Sequence, residues 1–163
     1  MVKSSYDELA TSLRGAATLL VGMGALDIVE IIEARRVLQG SCLQLASQKA
    51  SDEQIRNVEI ALEHQQDPAI SDEAFCQAGV AFHRALVDAS GNGMLRFVMY
   101  TVIEALVPVT NMLVSVVRER GEIILLHRRI LTHLLQQQSK LLIEAMDELM
   151  EYLLDRFELG SQR

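Results

Sequence analysis

The sequence has few of the residues that break helices or build strands. It contains two prolines and no tryptophan in 163 residues, and aromatic residues make up only 4% of the chain. Alternating runs of β-branched residues bounded by turns, which are typical of strands, are nearly absent. The sequence therefore predicts an all-α protein.

Signals for secretion or membrane insertion are also missing. Cys42 and Cys76 lie inside helical patterns without paired spacing, so we expect buried free thiols and no disulfide. No uninterrupted apolar run reaches the length of about 18 residues that suggests a membrane span. The polar start at residues 1–5 has no signal-peptide pattern. We therefore expect a cytoplasmic protein without membrane partners.

Positive charge is scarce in this chain. Its 15 Lys and Arg face 22 Asp and Glu, the net charge is −7, and no basic cluster exceeds three residues. Because phosphate contacts need a positive surface, we do not expect this chain by itself to bind nucleic acid. The sequence also has no nucleophile turn and no glycine-rich phosphate loop, and the break at residues 22–24 has only two glycines. We therefore predict that it is not an enzyme.

What the sequence does contain is helical periodicity, with apolar residues spaced three and four apart along most of its length. Caps, glycines and turns divide the pattern into a shorter first helix and six more, an antiparallel bundle in one domain spanning residues 1–163, with a core at about 6–158. The predicted helices cover about residues 6–22, 26–49, 52–66, 72–90, 94–118, 122–138 and 140–158. Pro108 is expected to kink the fifth helix. Bundles of this kind bind small ligands between their helices.

Four segments occur in a characteristic order on this all-α chain, between residues 26 and about 153. They are 32–40 (IEARRVLQG) with Leu45-Ala46 and 51–54 (SDEQ), 82–86 (FHRAL) with 89–92 (ASGN), 127–131 (HRRIL), and Ala145-Met146. The set resembles the C-terminal FCD domain of GntR-type transcription regulators of the FadR subgroup. The resemblance implies a bundle of six to seven helices, a central effector pocket, a homodimer and a winged-helix DNA-binding head on the N-terminal side. No basic, turn-rich segment precedes Tyr6, so we expect that head to be absent from this chain and any DNA contact to occur only through it.

The resemblance also implies a divalent-metal site, of which this chain retains half. In many family members the ligands are an Asp four residues before the Phe-His histidine, that histidine, the histidine of His-x-x-Ile, and a third histidine 22 residues later. His83 and His127 match two of these positions, whereas Gly79 and Leu149 stand at the other two. Two neutral imidazoles rarely hold a metal alone. We therefore expect no metal and no other cofactor, and any metal present would be held by His83 and His127.

Arg35 is the best candidate for anchoring an effector. It shares a helix with apolar residues, and the resemblance places an arginine here facing the pocket, with Gln39 where the family has glutamate. A guanidinium can bind a carboxylate through two parallel hydrogen bonds. We predict that Arg35 binds a small carboxylate effector, with His83 and His127 as further donors. In the alternative interpretation Arg35 forms a salt bridge within the protein, and both histidines are hydrogen-bonded core residues.

Three further residues are predicted to line the pocket: Gly79, Met146 and Leu149. With a metal carboxylate and a histidine lost, we expect a larger and more apolar pocket, and a carboxylate with an apolar body in preference to a small hydroxy acid. The sequence thus favours an effector-sensing and dimerisation domain of a transcription regulator. A helical dimerisation module with a vestigial pocket and a small metal-binding protein remain alternatives.

Overall fold

The computed structural model describes residues 2–25, 27–117 and 119–161, and within them the side chains of 8–9, 11–13, 15–25, 27–107 and 119–158. These residues form seven helices and no strand, which confirms the predicted all-α class. The helices are α1 (Val2–Gly22), α2 (Ile28–Lys49), α3 (Asp52–Gln65), α4 (Asp72–Ala89), α5 (Gly93–Val117), α6 (Arg120–Leu135) and α7 (Ser139–Ser161).

Local sequence signals set several helix ends. Ser51 and Gln54 form a capping box at the start of α3, in which each side chain accepts a hydrogen bond from the backbone N–H of the other residue. The Ser71 hydroxyl caps α4, and the Asn92 side chain accepts from two backbone N–H groups at the start of α5. Gly91, with φ 63°, provides the left-handed conformation after α4 that other residues adopt reluctantly.

Three boundary predictions were wrong. Gly121 lies inside α6 and does not precede it, since the helix already begins at Arg120. The same helix ends at Leu135, because the chain turns at Gln137 with a positive φ of 54°. Ser139 is the first residue of α7, one residue before the predicted start at 140, and its hydroxyl hydrogen-bonds to that of Ser47 on α2. Pro108, where a kink is predicted, lies outside the residues whose side chains are described.

Helix α2 runs through the middle of the bundle and packs against α4, α5, α6 and α7, while α3 pairs with α4 and α6 with α7. Its buried residues recur at the spacing of one helical face and include Ile32, Arg35, Gln39 and Leu43. Cys42 and Cys76 are buried free thiols, as predicted. Within the described residues, no helix is long and apolar enough to cross a membrane. The face that α2 turns to the core thus carries the polar side chains of Arg35 and Gln39 among apolar residues.

Candidate ligand-binding site

Arg35 is buried in the middle of the bundle, with only 3% of its surface exposed. Its Nε donates a 2.9 Å hydrogen bond to Oε1 of Gln39, one helical turn further along α2. Its Nη2 is buried and has no hydrogen-bond partner. A guanidinium is therefore held inside the core with part of its donor capacity unused.

No carboxylate pairs with Arg35 in the part of the chain that the structure describes. Glu30 and Glu33, the two carboxylates nearest to Arg35 along α2, are exposed to solvent. Burial lowers the pKa of Arg35 to about 10, since its charge is removed from water without a compensating anion. The neighbouring Arg36 is different, because it lies at the surface and forms ion pairs with Asp147 at 3.3 Å and Glu151 at 3.2 Å.

His83, on α4, lies beside the Arg35–Gln39 pair. The Gln39 amide nitrogen lies 3.2 Å from Nδ1 of His83. Burial, then the charge of Arg35, then His127 hold the pKa of His83 well below its ordinary value. A neutral imidazole is therefore expected at neutral pH.

His127, on α6, faces the same region of the core. Its ring stacks on Phe82 with centroids 4.3 Å apart, and it meets His83 edge-on at 5.0 Å. Oε1 of Gln65, at the end of α3, lies 2.6 Å from Nδ1 of His127. Burial and then the charge of Arg35 lower the pKa of His127 to about 3. Both histidines are thus hydrogen-bonded by glutamines.

A cavity of about 40 Å³ lies among these polar groups. Helices α2 to α7 each contribute to its wall: Arg35, Gln65, Phe75, Cys76, Gly79, Val80, His83, Ile103, Val107, Ile123, His127, Leu149 and Leu153. Among these residues Arg35 is the only charged one, and none is acidic. The tertiary structure brings Arg35, His83, His127, Gly79 and Leu149 together, whereas Met146 is buried in the hydrophobic core and does not line the cavity.

The expectation of an enlarged pocket was wrong at Gly79. A Cβ atom at this position would lie 2.8 Å from Nε2 of Gln65, so the Gln65 amide fills the space in front of the glycine. The cavity has room for about three water molecules, at roughly 10–15 Å³ each. It suits a small ligand, and a long apolar body would require the lining side chains to move.

The donor set does not fit a divalent metal. Leu149 offers no ligand atom, and the Gln65 amide occupies the space beside Gly79 where a carboxylate would extend. Among the described residues no three His, Cys, Asp or Glu side chains are grouped to hold a metal ion. The cavity instead has a cationic guanidinium at its wall, which would repel a cation.

Sequence reasoning missed Gln65. A signal was present, because Gln65 continues the stripe of Val58, Ala61 and Leu62 that α3 buries. A polar residue on such a stripe needs a partner inside the protein. The buried Glu104 of α5 was missed as well. It pairs with Arg84 and does not line the cavity.

A helical bundle with a small central cavity, lined mostly by apolar side chains together with a few polar groups, is an arrangement suited to binding a small molecule. The sequence profile of the FCD domain matches residues 30–152, so this chain belongs to the FCD family, the C-terminal domains of GntR-type transcription regulators. E. coli McbR/YncC has a similar fold, with a TM-score of 0.71 at 17% sequence identity over 90% of this chain and 83% of that chain. The comparison with curated protein sequences gave no match.

We predict that the protein purifies without a stoichiometric metal, because two of the four family ligand positions are Gly79 and Leu149. Metal analysis after dialysis against a weak chelator measures this, and one full equivalent of zinc, nickel or manganese would contradict it. The combined changes Gly79→Asp and Leu149→His should create metal binding only when Gln65→Ala also clears the space beside position 79. The variant without Gln65→Ala is the matched control.

The buried histidines should make the free protein acid-sensitive. The pKa of His127 is about 3 in the folded chain, against an ordinary value of 6.5. Below about pH 6.5 this histidine is therefore protonated in the unfolded chain and still neutral in the folded chain, which stabilises the unfolded state. The free energy of unfolding should fall by about 2 kcal/mol for this residue between pH 7 and pH 5, and change little above pH 7. Urea unfolding at both pH values should show a smaller loss for His127→Gln than for the parent protein.

His64→Gln, at an exposed position, is the control for that substitution and should keep the loss seen in the parent. If His127→Gln loses as much stability as the parent between the two pH values, His127 is not held neutral in the folded chain.

Proposed function

We propose that this chain is the effector-sensing domain of a transcription regulator, and that its effector is a small carboxylate held by Arg35. Membership in the FCD family indicates an effector-binding regulatory domain. The observation that carries the finer proposal is the buried Nη2 of Arg35, which has no partner beside a cavity without any acidic side chain.

The charge of Arg35 has no counter-ion among the described residues, and this makes its burial costly. A buried cation without a counter-ion destabilises a fold, and it is tolerated where a ligand supplies the missing charge. A carboxylate entering the cavity would accept from the guanidinium in a charge-assisted hydrogen bond. His83 and His127 would complete its surroundings, and the cavity volume of about 40 Å³ favours a compact acid.

We propose a cytoplasmic homodimer of the FadR subgroup, in which ligand binding controls DNA contact by a separate winged-helix head. Exposed apolar side chains such as Leu19, Met94 and Leu125 are compatible with an interface between copies.

Light scattering at micromolar concentration should give twice the chain mass of 18.2 kDa, and a monomer there would count against the dimer.

Arg35→Met should abolish the thermal shift induced by carboxylates while the fold persists, because methionine keeps much of the apolar stem and loses the charge. A charge-assisted hydrogen bond is worth about 1.5–3 kcal/mol, so affinity should fall roughly ten- to a hundredfold or more. Thermal shift and calorimetric titration with short carboxylate salts measure the effect, with chloride at equal ionic strength as the reference. Circular dichroism checks that helix content is kept.

Arg36→Met is the matched control, since the same change one residue away removes an arginine that pairs at the surface. It should bind like the parent protein. Equal binding by Arg35→Met and the parent would show that the cavity is not the carboxylate site.

Gln39→Glu tests the role of the Arg35 charge by supplying a counter-ion within the protein. Its carboxylate would lie where Oε1 of Gln39 now accepts from Arg35 Nε at 2.9 Å, and it would neutralise the guanidinium inside the protein. The variant should therefore melt at a higher temperature without ligand and lose the carboxylate-dependent shift. A variant that binds carboxylates as tightly as the parent would contradict the proposal that the ligand supplies the missing anion.

A further inference from the structure

We infer that Gln39 and Gln65 hold His83 and His127 in opposite tautomers, so that the cavity selects a carboxylate that also carries a hydrogen-bond donor such as a hydroxyl. The choice of ligand rests on the proposed function, whereas the tautomers follow from the glutamine contacts alone.

The orientation of the Gln39 amide is set by Arg35. A guanidinium can only donate, so the atom 2.9 Å from Arg35 Nε must be the amide oxygen. The amide nitrogen then points to Nδ1 of His83 at 3.2 Å, and because it donates, Nδ1 must accept. His83 is therefore neutral and carries its proton on Nε2.

The orientation of the Gln65 amide is set by a backbone carbonyl. Its amide nitrogen lies 3.4 Å from the carbonyl oxygen of Phe75, which can only accept. The amide oxygen consequently faces Nδ1 of His127 at 2.6 Å, so Nδ1 must donate. A second positive charge beside Arg35 in a wall without carboxylates would be costly, so His127 is neutral and its Nε2 has a free lone pair.

The two Nε2 atoms have no hydrogen-bond partner in the part of the chain that the structure describes, and both rings line the cavity. The site thus offers the Arg35 guanidinium and the Nε2–H of His83 as donors, and Nε2 of His127 as an acceptor. A bare carboxylate has acceptors only and would leave His127 facing a second acceptor. A carboxylate with a hydroxyl satisfies all three groups, and Gln39 and Gln65 act as positioning residues.

The tautomers can be measured directly on the free chain by ¹⁵N NMR of the imidazole rings, in which protonated and unprotonated ring nitrogens resonate in well-separated ranges. His83 should be protonated at Nε2 and His127 at Nδ1, with His83→Gln and His127→Gln providing the assignments. The same tautomer in both rings, or a charged ring at pH 7, would overturn the inference.

A ligand series tests the selectivity. Glycolate, fluoroacetate and acetate differ at one position, which carries a hydroxyl, a fluorine or a hydrogen. Glycolate should bind roughly three- to tenfold more tightly than either of the others, as expected for one neutral hydrogen bond. Gln65→Met should remove this preference, and the NMR spectrum should then show that His127 is no longer held in the single Nδ1–H state.

The outcomes test the carboxylate site and its selectivity for a hydroxyl separately. Equal binding of the three acids in an Arg35-dependent manner would overturn the selectivity and leave the carboxylate site standing. A glycolate preference that Gln65→Met retains would overturn the role of Gln65. Binding of none of the three, with the expected tautomers present, would count against a compact carboxylate as the effector and hence against the proposed function.

Discussion

The site in this protein depends on one constraint, which is a guanidinium buried without a counter-ion. Arg35 lies on the core-facing side of α2. Its Nε donates a hydrogen bond to the amide oxygen of Gln39, and its Nη2 has no hydrogen-bond partner. Burial lowers the pKa of Arg35 only to about 10, so the group remains charged at neutral pH. Burial and then the positive charge of Arg35 lower the pKa values of both neighbouring histidines, and the same charge would repel a metal cation from the cavity.

Gln39 and Gln65 determine the hydrogen bonding of the two cavity histidines, and Gln65 also limits the volume of the cavity. Where the resemblance implies a glutamate beside Arg35 and an aspartate before the Phe-His motif, this chain has Gln39 and Gly79. Gln65, from a different helix, fills the space that Gly79 leaves and binds His127. Neutral amides in these places add no charge, yet each imposes a direction of hydrogen bonding on a histidine. The site therefore presents hydrogen-bonding amides at places where the resemblance implies carboxylates.

The prediction of an enlarged pocket failed for an instructive reason. Replacing a large residue by glycine opens space only if no neighbouring side chain can fill it, and interiors are packed densely. The sequence places Gly79 and Gln65 fourteen positions apart on two helices, and nothing in that spacing reveals that the Gln65 amide fills the space in front of the glycine. Met146 shows the converse, since it belongs to a family motif yet packs in the hydrophobic core.

The sequence by itself determined the helices, because periodicity, capping residues such as Ser51 and Asn92, and the left-handed Gly91 act within a few residues of one another. It also placed Arg35 on a buried face, since position along a helix follows from the 3.6-residue turn. Only the tertiary structure decided which polar groups meet. The partners of His83 and His127 come from other helices, 44 and 62 residues away along the chain, and contacts of that kind depend on helix packing that no local pattern encodes.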